Sequence, residues 1–150
     1  MTRILIPLDG SRLSEEPLSF GLNLLGGKEH NITLLNCCDP KDWIMPERPT
    51  AAWMENREKL AKEESRTYLE SKAPALERLG HRVFYRTPVG HAVEEILKES
   101  EKVDLLLMCS QGRSGLKRFF VGSVAEEVLR KSTCPVLLVP PSERRQKHQH

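Results

Sequence analysis

The stretch "VDLLLMCSQGRSGLKRFFVGSVAEEVLRKSTCPVLLV", residues 103–139, combines two apolar runs with an amphipathic segment between them. The runs "VDLLLM" (103–108) and "PVLLV" (135–139) are continuous rather than alternating, which is typical of strands covered on both faces. The segment "SVAEEVLRKS" (123–132) places its apolar residues at helical spacing. A strand, a helix and a strand in this order predict a right-handed crossover between two parallel strands.

The remainder of the chain repeats this alternation. Three more apolar runs come earlier in the chain: "RILIPL" (3–8), "ITLLNC" (32–37) and "RVFYR" (82–86). Helical patterns separate them: "SRLSEEPLSFGLNLL" (11–25), a charged stretch over 51–79 with a break expected at Pro74 and a C-cap at Gly80, and "VGHAVEEILKES" (89–100). The sequence therefore predicts an α/β fold, a single-domain open parallel five-stranded sheet with helices on both faces. The segment 39–53, with three prolines, is predicted to be a long loop.

Composition indicates one soluble globular domain. The chain has 150 residues, of which 29% are charged and 39% hydrophobic, and it contains no apolar run near the roughly 18 residues of a membrane span. No signal-peptide pattern is visible at the start, so we expect a cytoplasmic protein without a membrane partner. The four cysteines lack the spacing of a zinc site and are interpreted as reduced thiols.

The distribution of charge argues against nucleic acid as a partner. The net charge is +2, and the last nine residues, "SERRQKHQH", carry three cations against the single carboxylate of Glu143. Residues 1–141 are thus close to neutral and lack the basic footprint of a nucleic-acid-binding domain. We predict a nucleotide-binding domain over 1–141 and a basic, disordered tail over 142–150.

The junction "CSQGRSGLKRFFVGS" (109–123) is unusually rich in glycine and cations for a connection between a strand and a helix. In an open parallel sheet, ligands bind outside the carboxyl ends of the strands, where this segment lies. Its glycines permit close backbone approach, the following helix N-terminus favours anions, and Arg113, Lys117 and Arg118 add positive charge. These features favour a phosphate-binding loop.

A capped helix without any ligand gives a similar pattern, because Ser123-x-x-Glu126 is a capping box. Neither GxxxxGK[ST] nor GxGxxG is present to decide between the two interpretations. The run "TPVGH" (87–91) faintly echoes a nucleotidyltransferase motif but follows the third strand, so His91 is interpreted as a polar residue in the first turn of a helix.

Several segments together carry a resemblance to a known family. They are "ILIPLDGS" (4–11), "ITLLNC" (32–37), "VGHAVEEIL" (89–97) and "DLLLMCSQGRSGLKRFFVGSVAEEVLRKSTCPVLLVP" (104–140). Over nearly the whole chain these resemble the universal stress protein family. The resemblance implies an adenine nucleotide α-hydrolase-like fold with strand order 3-2-1-4-5, and a cytoplasmic, homodimeric protein that binds ATP, with or without Mg²⁺, in a regulatory or stress-response role.

The ATP-binding branch of that family carries the motif G-x2-G-x9-G-[ST]. Aligned on this chain, its second and third glycines are Gly112 and Gly122, its hydroxyl residue is Ser123, and its first glycine is replaced by Cys109. The resemblance implies that Asp9 approaches the adenosine, that Pro7 and Leu8 line the pocket, and that the backbone of Cys37 contacts the adenine edge. The nucleotide-binding residues predicted in this way are Pro7, Leu8, Asp9, Cys37, Met108, Cys109, Gly112, Arg113, Gly115, Gly122, Ser123 and Val124.

Simpler roles exist for these residues. Asp9 is also suited to a turn or an N-cap, and Cys37 to a small buried hydrophobic position. At Cys109 the outcome depends on the backbone: a positive φ would strain the turn by roughly 1–2 kcal/mol, whereas a negative φ would let the thiol line the pocket.

Three functions therefore remain open from the sequence. The first is ATP binding without catalysis and without a protein metal site, as a homodimer formed through the edge strand Val136–Val139. The second is a dimeric scaffold that has lost nucleotide binding, which the replacement at Cys109 favours. The third is a slow ATPase, for which no general base is evident near the loop. A disulfide between Cys37 and Cys109 is disfavoured, because two strands apart their Cα atoms lie about 9–10 Å from each other.

Overall fold

The computed structural model describes residues 1–111 and 121–142. Within these ranges the strands are β1 (Arg3–Pro7), β2 (Asn31–Leu35), β3 (Arg82–Arg86), β4 (Leu105–Cys109) and β5 (Val136–Val139). The helices are α1 (Arg12–Glu15), α2 (Phe20–Leu24), α3 (Ala51–Glu70), α4 (Ala73–Glu77), α5 (Ala92–Ser100) and α6 (Ser123–Lys131), with 3-10 turns at Glu16–Leu18 and Pro40–Asp42. Strands and helices alternate along the chain as predicted.

The strands form one parallel sheet in the order β3-β2-β1-β4-β5. The predicted α/β class and strand order are confirmed. Because β1 lies in the centre and the strand order reverses there, the connections from β1 and from β4 leave toward opposite faces of the sheet.

Two apolar cores lie on the two faces of the sheet. Alternate residues of β1 point to opposite sides, with Ile4 and Ile6 in one core and Leu5 in the other. The α2–α4 core comprises Ile4, Ile6, Leu8, Leu22, Ile32, Leu34, Leu69, Leu76, Leu107 and Val139. The α5–α6 core comprises Leu5, Leu35, Ile96, Leu106, Met108, Ala125 and Val128. Coverage on both faces explains the continuous apolar runs in the sequence.

Strand and helix boundaries differ from the sequence pattern in a few places. β2 ends at Leu35, two residues before the predicted end, and β4 begins at Leu105 and includes Cys109. The predicted helix over 11–25 is divided into three short segments, because Pro17 has no backbone N–H to donate within a continuous helix.

The charged stretch forms two helices. The break falls between α3 and α4, and Pro74 lies in the first turn of α4, where proline is tolerated. Gly80 then takes a φ of 93°, as expected for a left-handed residue after a helix. The predicted loop over 39–53 ends sooner than expected, because Thr50 caps α3 by accepting a hydrogen bond from the backbone N–H of Trp53 at 3.1 Å.

The prediction of a capping box at Ser123 is wrong. α6 begins at Ser123 itself, and the N-cap is Gly122, whose extended backbone has φ −69° and ψ 159°. The backbone N–H of Gly122 donates to the Ser110 carbonyl at 2.6 Å. This bond fixes Gly122, the residue before the predicted cap, at the start of the helix. His91 likewise occupies the N-cap of α5 rather than its first turn. Among the described helices, none is both long and apolar enough to cross a bilayer.

Candidate functional site

A cavity of about 790 Å³ opens at the carboxyl edge of the sheet. Its walls come from the ends of β1, β2 and β4 and from the first turns of α5 and α6. This is the place where the strand order reverses, and the diverging connections leave a crevice there. The fold therefore supplies a concave site of the size that small ligands occupy.

Most of the residues predicted for the nucleotide site line this cavity. Those among the described residues are Pro7, Leu8, Asp9, Cys37, Met108, Cys109, Gly122, Ser123 and Val124. The predicted Gly112, Arg113 and Gly115, together with Lys117, Arg118 and the tail residues 143–150, lie outside the described residues.

Asp9 follows β1 and forms a turn at the cavity wall. Its Oδ1 accepts a hydrogen bond from the backbone N–H of Ser11 at 2.8 Å, and its own N–H donates to Ser14 Oγ at 3.2 Å. The N-cap of α1 is Ser11 rather than Asp9. Of the two simpler roles, the turn applies and the N-cap does not.

Cys37 presents its backbone to the cavity. Its neighbours bond outward to the segment after β3, since Asn36 N–H donates to the Arg86 carbonyl at 3.0 Å and Cys38 N–H to the Pro88 carbonyl at 2.8 Å. Backbone groups alternate in direction along an extended chain, so those of Cys37 face the opposite way, toward β1 and the cavity. Neither its N–H nor its C=O has a hydrogen-bond partner among the described residues.

The Cys37 thiol is neutral at physiological pH. Burial, assisted by the negative charge of Glu95, raises the pKa of this thiol to about 12. Its Sγ donates to the Gly90 carbonyl at 3.2 Å. All four cysteines are free, and a thiol held in this form is a poor nucleophile, which disfavours a redox role for the cavity.

Cys109 is the last residue of β4 and is 5% exposed. No residue other than glycine has a positive φ over the two described ranges, so the strained alternative for Cys109 does not apply. It pairs in register with Val139 of β5 and is one of the residues that line the cavity. A cysteine is therefore sterically tolerated at the position of the first motif glycine.

A carboxylate and an imidazole form a pair at the cavity rim that the sequence did not predict. Asp39 Oδ2 lies 3.2 Å from His91 Nδ1, and Asp39 Oδ1 accepts from the backbone N–H of Lys41 at 3.0 Å. Partial burial acts to raise the pKa of the Asp39 carboxyl, but the bonds from Lys41 and His91 outweigh it and leave that pKa below its usual range. The available signal was position, since Asp39 lies four residues after the end of β2, at the same sheet edge.

On the opposite rim, α6 contributes an ion pair. Lys131 Nζ lies 2.8 Å from Glu127 Oε1, and both side chains line the cavity. A second, smaller cavity of about 310 Å³ adjoins the first on the α3 side and shares Asp9, Cys37, Asp39 and Asp42 with it. Nowhere in residues 1–111 or 121–142 do three histidine, cysteine, aspartate or glutamate side chains converge as metal ligands would.

Known proteins resemble the chain in sequence and in structure. The profile of the universal stress protein family matches residues 1–140. Universal stress protein MJ0531 of Methanocaldococcus jannaschii is 30% identical over 139 residues, an alignment that covers 91% of this chain and 81% of that protein.

Solved structures share the fold. That of protein MJ0577 from the same organism superposes with a TM-score of 0.78 at 34% identity, covering 93% of this chain and 95% of the other. An Arabidopsis thaliana family protein described with AMP bound superposes with a TM-score of 0.65, over 97% of this chain and 95% of the other; at 16% identity it supports the fold alone. Since the family profile spans the whole of the sheet and the cavity lining, the chain belongs to the universal stress protein family.

Proposed function

We propose that the protein binds an adenine nucleotide, ATP in first place, in the cavity at the carboxyl edge of the sheet. The observation that carries this proposal is the unpaired backbone of Cys37, which offers one donor and one acceptor side by side at the cavity wall. The Watson–Crick edge of adenine presents the complementary pair, an acceptor at N1 and a donor at N6, and enzymes read bases through this edge.

The surroundings of Cys37 suit a purine. Apolar side chains of Leu35, Ile96 and Ala125 line the same cavity and supply a surface on which a base can pack. Asp9 lies at the end of the neighbouring strand, where a ribose hydroxyl could donate to its carboxylate. This placement is our proposal for the nucleoside half of the ligand.

The phosphates are assigned to the β4–α6 connection. α6 begins at the cavity with Gly122 and Ser123, and its N-terminal N–H groups and dipole favour an anion. We assign Gly112 to the same role from the motif, and Arg113 and Gly115 because they lie in the segment between its second and third glycines. We propose that a Mg²⁺ ion, as the usual companion of ATP, would be held by the triphosphate.

Two further properties belong to this proposal. The protein acts in the cytoplasm, which the four unpaired cysteines support, since reducing compartments keep thiols free. It works as a homodimer through β5, an edge strand of the described sheet whose free side can pair with a second copy. The regulatory or stress-response role rests on family membership.

Thermal unfolding with and without nucleotide tests the proposal. ATP with Mg²⁺ at 100 times its Kd stabilises by about 2.7 kcal/mol and raises the melting temperature, and GTP raises it less. Mass spectrometry of small molecules released from the purified, denatured protein identifies a ligand that copurifies. No shift at millimolar ATP would leave the scaffold interpretation, which the replacement of the first motif glycine by Cys109 favours.

The variant Arg113→Ala tests the phosphate half separately. A charge-assisted hydrogen bond to phosphate is worth roughly 1.5–3 kcal/mol, so ATP affinity falls by that amount while AMP affinity falls less. Lys59→Ala is the matched control, because Lys59 is an exposed cation on α3, away from the cavity residues. Equal losses for ATP and AMP would remove Arg113 from the phosphates.

Catalysis is the least supported function. The Asp39–His91 pair resembles a general base with its orienting carboxylate, but its two residues follow β2 and precede α5, whereas the phosphates are assigned to the start of α6. We therefore expect at most slow ATP hydrolysis, which a phosphate-release assay on wild type and on His91→Ala would measure.

A further inference from the structure

The hydrogen-bond ladder between β1 and β2 ends abruptly beside the cavity. The backbone N–H of Leu8 donates to the Leu35 carbonyl at 2.7 Å, and this is its final rung. In a parallel ladder the next rung would run from the N–H of Cys37 to the carbonyl of Leu8. The side chain of Asn36 takes that place instead, with Nδ2 donating to the Leu8 carbonyl at 2.7 Å.

The Asn36 amide is fixed in this orientation by α3. Its Oδ1 accepts a hydrogen bond from Ser65 Oγ at 2.5 Å, and Ser65 is 5% exposed. The backbone N–H of Asn36 is bonded outward to the Arg86 carbonyl. With Oδ1 accepting from a buried hydroxyl, Nδ2 is the group left to face β1.

From this geometry we infer that Asn36 is a positioning residue: it occupies the Leu8 carbonyl and thereby keeps the Cys37 N–H open toward the cavity. The inference rests on the proposed function for its consequence, which is selectivity for adenine. The outer edge of the same segment remains paired, since Gly90 N–H donates to the Cys38 carbonyl at 3.0 Å. Cys37 is thus anchored through its neighbours while its own backbone stays available.

Removal of the Asn36 amide should let the ladder extend. In Asn36→Ala the Leu8 carbonyl loses its donor, and a buried carbonyl without a partner is costly. The Cys37 N–H is the nearest donor in register, so it closes the rung and is lost to a ligand. Ser65→Ala should act in the same direction but less strongly, because Asn36 keeps its amide and loses only its support from α3.

Amide hydrogen exchange on the ligand-free protein, followed by NMR, tests the inference without any nucleotide. In wild type the Cys37 N–H should exchange faster than the paired N–H groups of Leu8 and Cys38. Asn36→Ala should slow exchange at Cys37 by about tenfold, the effect expected for one added hydrogen bond. Ser65→Ala should slow it by a smaller factor, and this variant decides the question if Asn36→Ala does not fold. A protected Cys37 in wild type, or unchanged exchange there in the variants, overturns the inference.

Nucleotide selectivity supplies the second measurement. Inosine reverses the donor and acceptor of the adenine edge at N1 and at the C6 substituent, so the ratio of ATP to ITP affinity reports on the Cys37 backbone. Asn36→Ala should lower this ratio by about tenfold and leave the ratio of ATP to AMP affinity unchanged. An unchanged ATP to ITP ratio counts against the inference. If wild type binds neither nucleotide, the proposed function fails, while the exchange measurement still decides the role of Asn36.

Discussion

The imidazole rings of His30 and His81 stack at the amino ends of β2 and β3, with ring centroids 5.4 Å apart and planes inclined by 10°. Both residues are buried, at 5% and 9% exposure. The backbone N–H of His30 donates to His81 Nδ1 at 3.1 Å, so the proton of neutral His81 is on Nε2. Burial, and secondarily the neighbouring His30, lower the pKa of His81.

This pair should make the fold sensitive to acid. The unfolded chain takes up a proton on His81 near the ordinary pKa of about 6.5, whereas the folded chain resists it to a lower pH. The contribution of His81 to the free energy of unfolding is therefore complete above the unfolded-state pKa and is lost as the pH falls from there toward the lower pKa of the folded state. Urea denaturation between pH 7.5 and 5.5 should show a falling free energy of unfolding. His81→Asn keeps a hydrogen-bond acceptor and removes the titrating group, so its free energy of unfolding should change less steeply with pH than that of wild type. Equal pH dependence in the two proteins would show that His81 is not responsible.

Gly21 on α2 lies against the fully buried Leu107 of β4. A Cβ built on Gly21 would lie 2.8 Å from Leu107 Cδ1, which is closer than carbon atoms pack. Gly21→Val should therefore destabilise the protein by about 1–3 kcal/mol through overpacking. Gly27→Val is the control, because no atom lies within 4 Å of a Cβ there, and it should change stability by less than about 0.5 kcal/mol. Similar midpoints for both variants in urea denaturation would contradict the contact.

Cys109→Gly restores the motif glycine and removes a buried side chain from the cavity wall. We expect ATP to bind more tightly, by no more than about 1–2 kcal/mol, because the thiol no longer takes up room beside the nucleotide. Stability should fall by roughly 0.5–1 kcal/mol, the usual cost of glycine within a strand. Calorimetry on the two proteins measures the affinity. Equal or weaker binding in the glycine variant means that the thiol is no obstacle.

The two leucines in the middle of β5 should respond differently to proline. The Pro135 carbonyl accepts a hydrogen bond from Leu106 of β4, and the Val139 carbonyl accepts one from Ser110, directly after β4. In this parallel ladder Leu137 therefore also faces β4, whereas Leu138 directs its backbone to the free edge. Leu138→Pro should yield a folded monomer, because it removes a donor that the proposed dimer seam uses. Leu137→Pro should instead destabilise the protomer. Sedimentation that shows a wild-type monomer at micromolar concentration would refute the seam.

The course of the strands was readable from the sequence because burial on both faces leaves long apolar runs, as at Ile4–Ile6 and Leu105–Met108. Placement of the cavity followed from topology, since residues after β1, β2 and β4 must share one sheet edge. The side-chain contacts across that edge could not be predicted from the sequence. Asp39 and His91 are 52 positions apart, and their contact depends on the loop path after β2, which apolar periodicity does not encode.

Local hydrogen bonding explains the remaining errors. The capping-box pattern at Ser123 was present, but Gly122 is bonded to Ser110 and the helix starts one residue earlier than the motif requires. The early end of β2 has a similar cause, because the Asn36 side chain replaces a backbone rung. Side chains that compete with the backbone in this way are a known source of boundary errors.

Leu35, Ile96, Met108 and Ala125 belong both to the α5–α6 core and to the cavity wall. These side chains are already buried by the protein, so a ligand seated against them would extend that core. Local opening of α5 and α6 is then easier in the empty protein, and these helices should be the first sites of cleavage by a protease. The lifetime of the chain in the cell would thereby follow the supply of its ligand, which couples protein abundance to metabolite level without any dedicated degradation signal.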